Sequence, residues 1–279
     1  MAKKASEKLD KKRDTSEKIY QRDKIDFELK IRELEWTDKQ KEFFKLVSDK
    51  SSRIIFVSGP AGSSKTLVAV RAALQMLNDK KVSDMICVRA AVESADSKLG
   101  YLPGDLQSKY DVYMMPFADK LEELLTVEQI KRLKADNRIT NQPINFCRGL
   151  SFTARVILMD EMQNATLSEL YTLLSRIGKF SKMIICADVL QSDLPHNKQG
   201  GFNKITEIFN NEESRNMGIH HFEFSTDDIV RSELCKFVVL KISESKAEQM
   251  RIKKAEYESK AKIAPQPNYD AHHMWSPGI

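Results

Sequence analysis

A lysine and a hydroxyl side by side, Lys65-Thr66, follow a run of small residues, Gly59-Pro60-Ala61-Gly62-Ser63-Ser64. That combination suits a polyphosphate. Small residues let the backbone wrap the anion with its N–H groups pointing inward, Lys65 reaches the β- and γ-phosphates, and the Thr66 hydroxyl ligates Mg²⁺. One residue departs from the pattern G-x-x-x-x-G-K-[ST], because Ser64 stands where the last glycine is expected. A glycine-serine turn that happens to precede a lysine is the other reading, so a second chemical feature is required.

Asp160-Glu161 supplies it. An acid at a strand tip next to the small-residue loop can hold Mg²⁺ together with Thr66, directly or through water. Glu161, one residue on, is placed to take a proton from, or to orient, the water that attacks a γ-phosphate. Asp188 and Gln191 form a third group that can sense the γ-phosphate and pass its presence to a loop, with a turn-capping role for Asp188 equally open. Arg231 is suited to neutralising transition-state charge, or else to a helix ion pair with Asp227 or Asp228. Gln40 has an amide that donates and accepts at once, which fits the edge of adenine; an ordinary surface position is its alternative.

The elements that must position these groups are legible as apolar runs. Ile54-Ile55-Phe56-Val57 precedes the loop and Leu67 to Leu74 continues it as a helix. Met85 to Val88, Val156 to Met159 and Met183 to Ala187 read as strands buried on both faces, ending in Arg89, Asp160-Glu161 and Asp188. A helix opens at Trp36-Thr37-Asp38, another spans Leu167 to Ile177, a third runs from Phe202 to Phe209, and His220 to Phe224 is a last strand. Strand and helix alternate, so the expected fold is α/β, a three-layer sandwich around a mainly parallel sheet. Residues 96–150 interrupt the alternation with amphipathic helical stretches. A helix is expected to start at Asp227 and run through Val238 toward the charged stretch Lys241 to Lys262.

Residues 1–35, dense in alternating charge, read as a mobile or solvated helical arm. The body is expected over residues 36–240, with a charged helix and an irregular tail over 241–279. Charged residues at 30% and a mean hydropathy of -0.45 exclude an integral membrane protein. The first residues lack the apolar segment of a signal peptide, which predicts a cytoplasmic location. Cys87, Cys147, Cys186 and Cys235 are too isolated for a zinc site or a disulfide framework. A net charge of +5 permits a nucleic-acid partner without arguing for one.

Taken together, Gly59-Pro60-Ala61-Gly62 with Lys65-Thr66, Ala91-Val92-Glu93, Leu99-Gly100-Tyr101-Leu102-Pro103-Gly104-Asp105-Leu106-Gln107, Asp160-Glu161-Met162-Gln163-Asn164 and Ala187-Asp188-Val189-Leu190-Gln191-Ser192-Asp193-Leu194-Pro195 resemble the phosphate-starvation-inducible PhoH-like family. The resemblance covers about residues 36–240 and implies an ATP-binding, RecA-like P-loop domain akin to the first domain of superfamily 1 helicases, from a bacterial or bacteriophage source. It assigns Gln40 to the adenine-reading glutamine, Lys65 and Thr66 to the P-loop, Asp160 and Glu161 to the Walker B pair, Asp188 and Gln191 to the third helicase motif, and Arg231 to an Asp-x-Val-Arg block. Ser64, and Ala187 in place of a glycine, depart from the family pattern. The implied ligands are ATP and Mg²⁺, and the implied partner is RNA or single-stranded DNA. Because such helicases pair two RecA-like domains and this chain has one, a homo-oligomeric ring, a hexamer, is expected, with Arg231 or Arg89 approaching a neighbour's γ-phosphate. An ATP-gated scaffold with little turnover is the alternative; a nuclease is disfavoured, because no acid cluster stands outside the ATP site.

Overall fold

Four apolar runs form the middle of a wholly parallel, six-stranded sheet. They are β1 (Ile54–Ser58), β2 (Asp84–Arg89), β4 (Arg155–Asp160) and β5 (Lys182–Ala187), with β3 (Ile139–Asn141) and β6 (Ile219–Glu223) at the edges. The spatial order is β3-β2-β4-β5-β1-β6. The computed structural model describes residues 24–90, 114–189, 191, 192, 194 and 200–263, and divides into a unit up to Lys236 and a second from Phe237.

Successive strand residues enter opposite cores, as the pleat requires. Ile55, Val57, Met85, Cys87, Val156, Leu158, Ile184 and Cys186 belong to one core, and Ile54, Phe56, Ile86, Val88, Ile157, Met159, Met183 and Ile185 to the other. The first core is covered by α1 (Asp38–Ser48), α2 (Lys65–Asn78), α3 (Met115–Leu124) and α4 (Val127–Ala135). The second is covered by α5 (Leu167–Leu174) and α6 (Gly201–Ile208), so the sheet is the middle of three layers. The short α7 (Glu212–Asn216) leads into β6, and α8 (Glu233–Ile263) carries the chain into the second unit. Among the described residues, no helix is long and apolar enough to cross a membrane.

Several expectations need correction. Of the arm expected over residues 1–35, residues 1–23 lie outside the described residues, and residues 24–35 run without helix, with Ile25 and Leu29 buried in the first core. Backbone groups hold them there, since Leu29 N–H donates to Asn78 Oδ1 at 2.7 Å and Arg32 N–H to the Leu124 carbonyl at 2.8 Å. Arg71 of α2 completes the attachment through an ion pair with Glu33 at 3.0 Å. Strand β3 was not expected, because three residues are too few for a periodic signal. Residues Thr226–Asp228 form a 3₁₀ turn, and the helix begins only at Glu233. The turn wins because Asp228 bonds back to the Ser225 N–H and hydroxyl, as a capping box does. The segments Ala91–Glu93 and Leu99–Gln107, together with Leu190, Asp193 and Pro195 of the block after Asp188, lie outside the described residues.

Candidate functional site

Between β1 and α2 the chain turns through Gly59 to Ser64. A Cβ on Gly59 would sit 2.6 Å from that of Phe224, just beyond β6, so only glycine lets the loop pass. Gly62, at φ +89°, packs against Ile229 and Arg231, and its carbonyl accepts from Val230 N–H at 3.0 Å. Ser64 occupies the left-handed region at φ 61°, ψ 22°, and its side chain caps nothing. Its backbone therefore adopts a geometry that suits glycine while its hydroxyl remains uncommitted to α2.

The N-terminus of α2 is thereby aimed into the loop, where its partial positive charge favours an anion. Lys65 opens this helix and is 9% exposed. Its ammonium donates to the carbonyls of Gly59 at 2.7 Å and Pro60 at 2.8 Å. Burial pushes its pKa below the usual lysine value, while neighbouring Cys186, Asp188, Asp160 and Glu161 pull it back up.

Thr66 Oγ1 donates to Asp160 Oδ1 at 3.0 Å, so the hydroxyl and the acid expected to share a cation do meet. Two hard oxygens at the mouth of a phosphate loop fit Mg²⁺. Burial raises the Asp160 pKa, the charge of Glu161 adds to the rise, and Arg89 and the Thr66 hydrogen bond oppose it. The tip of β4 reaches the loop although β4 is not the strand beside β1, because β5 lies between them. That insertion places Asp188, at the end of β5, between the two halves of the site. Asp188 Oδ2 accepts from the Ala61 N–H at 3.0 Å, so its carboxylate reaches the loop.

Glu161 also has a left-handed backbone, at φ 56°, ψ 32°. Strain of this kind gathers at functional sites and persists where surroundings over-determine it. Here Arg89 Nη2 lies 3.3 Å from Glu161 Oε1, and Gln163 Nε2 donates to Oε2 at 2.5 Å. In the sequence Gln163 stands out only as part of the Asp160–Asn164 block; its signal is its place two residues past Glu161.

The remaining expected residues line the same cleft of about 700 Å³. Gln40 is 2% exposed, which removes the surface alternative. Its Oε1 accepts from the Thr37 N–H at 3.0 Å in a capping box, and that fixes the amide at the cleft wall. Arg231 and Arg89 both face their own chain's cleft. Arg231 precedes α8, so the helix ion pair with Asp227 or Asp228 does not form. Gln191 reaches the cleft, and its carbonyl accepts from Gln163 Nε2 at 3.4 Å.

The family model described as PhoH-like protein matches residues 34–243. A PhoH-like protein of Synechocystis is 34% identical over 203 residues, covering 73% of this chain and 60% of its own length. One from Bacillus subtilis is 35% identical over 190 residues, covering 68% of this chain and 58% of its own. The chain thus spans about three-fifths of the length of these relatives. Among solved structures, the Pif1 helicase from Candida albicans aligns at a TM-score of 0.34 and 15% identity, over 69% of this chain and 41% of that one, too slight a likeness to argue from.

Proposed function

Since this chain belongs to the PhoH-like family, we propose that it is an ATPase that couples turnover to RNA or single-stranded DNA within a homo-oligomeric ring, a hexamer. The observation that carries the reading is the convergence of Lys65, the Thr66–Asp160 pair and Glu161 in one cleft. Lys65 exchanges its bonds to the Gly59 and Pro60 carbonyls for the phosphates, and the backbone of the loop orients them. Mg²⁺, when held by Thr66 and Asp160, supplies charge neutralisation at the phosphate oxygens. Glu161 orients the attacking water and accepts its proton. Arg231 and Arg89 add positive charge from the walls of the cleft, where a second copy in the ring would bring its nucleotide within their reach. Gln40 reads the base.

The nucleic-acid partner rests on the resemblance to helicase domains, and the ring on the single RecA-like unit, whose open cleft a second copy would close. Steady-state ATPase with and without single-stranded RNA and DNA, alongside light scattering, tests both. Stimulation and a ring are expected. Background turnover unaffected by either strand would sink the motor reading.

One observation favours a nucleotide-gated scaffold instead. Lys65 and the Ala61 N–H are bonded to the chain itself, so binding a nucleotide rearranges this network whether or not hydrolysis follows. Glu161→Gln separates the two: a motor loses function, whereas a scaffold still assembles with ATP.

A further inference from the structure

Gln163 stands outside every role given above, yet it is 4% exposed and bonded on several sides. A side-chain amide offers one acceptor oxygen and two donors, so its orientation is set by whichever neighbour is fixed first. Here that neighbour is backbone: Gln163 Oε1 accepts from the Asp188 N–H at 2.9 Å. With the oxygen committed to the tip of β5, Nε2 must turn toward the tip of β4, where it meets Glu161 Oε2 at 2.5 Å. The Gln163 carbonyl in turn accepts from Ser192 Oγ at 3.1 Å.

The Glu161 carboxylate is thus gripped from both oxygens, by Arg89 and by Gln163. On the other side of the amide, Asp188 accepts from the Ala61 N–H in the phosphate-binding loop. A continuous hydrogen-bonded path therefore runs from that loop through Asp188 and Gln163 to Glu161, across three strand ends that are far apart in sequence.

We infer that Gln163 is a positioning residue: it fixes the Glu161 carboxylate and ties its orientation to the state of the phosphate-binding loop through Asp188. The kinetic consequence rests on the ATPase reading, and the linkage itself does not. A ligand that displaces the Asp188 carboxylate from the Ala61 N–H acts on the same residue whose backbone N–H holds the amide, and through the amide on the Glu161 carboxylate.

Two full-length variants test this. Gln163→Met keeps the length and removes every side-chain hydrogen bond. Gln163→Glu keeps the acceptor for Asp188 N–H and loses the donor to Glu161 until its own carboxyl is protonated. Without nucleotide, hydrogen exchange in Gln163→Met should quicken at least tenfold at Asp188 and also at Ala61, with an unchanged melting temperature. Quickening at Asp188 alone, or none at either, would overturn the linkage. In turnover, Gln163→Met should lower kcat tenfold or more with KM for ATP within threefold, and Gln163→Glu should regain part of that loss as pH falls. A parallel fall in kcat and rise in KM, with no pH-dependent recovery in Gln163→Glu, would reduce Gln163 to a packing role. If the wild type shows no turnover, the ATPase reading fails while the exchange measurement still decides the linkage.

Discussion

Two turns meet in the cleft, and each carries a residue other than glycine in the left-handed region: Ser64 between β1 and α2, and Glu161 after β4. Their backbones are nearly superimposable in angle, with φ of 61° and 56°. Their side chains differ entirely. Ser64 makes no capping hydrogen bond, whereas the Glu161 carboxylate is held by Arg89 and Gln163. At Glu161 the strain is retained along with a side chain that chemistry needs; at Ser64 the backbone angle aims α2 into the loop, and the side chain makes no capping bond.

The largest effect should follow from breaking the second turn. Glu161→Gln removes the proton acceptor while keeping the size, so kcat is expected to fall by about 10² to 10⁴. ATP affinity should be little changed, because the phosphates are bound from the first turn. Single-turnover hydrolysis and a nucleotide titration on the same preparation check this; equal losses in both would mean that the turns do not divide the work. Removing the cation of the first turn should do the opposite. Lys65→Met should abolish the stabilisation by Mg²⁺·ATP, expected at about 2.7 kcal/mol when ligand exceeds its Kd a hundredfold. Calorimetric melting with and without nucleotide reads it directly.

Between the turns lies Asp160, whose folded-state pKa burial raises above the ordinary 3.8, with the charge of Glu161 adding to the rise. A carboxyl shifted upward binds its proton more tightly in the folded chain. Stability from this group is therefore present below pH 3.8 and lost as pH rises through the raised value. Asp160→Asn should then melt higher than wild type at pH 7 without ligand, with the gap closing toward pH 4. It should also lose the Mg²⁺-dependent part of nucleotide stabilisation. A lower melting temperature at neutral pH would show that the Thr66 hydrogen bond outweighs the buried charge.

How far the sequence revealed this arrangement follows from what makes a periodic signal. The central strands were readable because burial on both faces demands unbroken apolar runs, and their polar ends then fell where ligands sit. Ile25 and Leu29 are sparse apolar positions among charges, too few to announce a core segment; what decides them is the Asn78 side chain of α2, remote in sequence, which bonds the Leu29 backbone on both sides. The order of strands was equally hidden. Nothing in Val156 to Asp160 says that β5 intervenes before β1, and that insertion is what brings Asp188 to the Ala61 N–H. Gln163 is visible in the sequence block but its role is not, since an amide's function depends on which two partners flank it. The fold brings Arg231 to the wall of its own chain's cleft, a placement that its position in the sequence did not reveal.

The smallest change sharpens the contrast between the turns. Ser64→Gly relieves a left-handed serine, which costs about 1–2 kcal/mol relative to an unstrained backbone. Glycine's greater freedom in the unfolded chain returns roughly 0.5–1 kcal/mol of that. The net expectation is a gain between zero and about 1.5 kcal/mol, at about 2–4 °C of melting temperature per kcal/mol in a domain of this size. If the strain were idle, the gain in stability would come with equal or tighter nucleotide binding, because removing Cβ opens the loop where phosphates approach. A loss of ATP affinity in Ser64→Gly would instead assign the uncommitted hydroxyl to the ligand. The two left-handed turns would then be alike after all, each holding strain for the side chain that it presents.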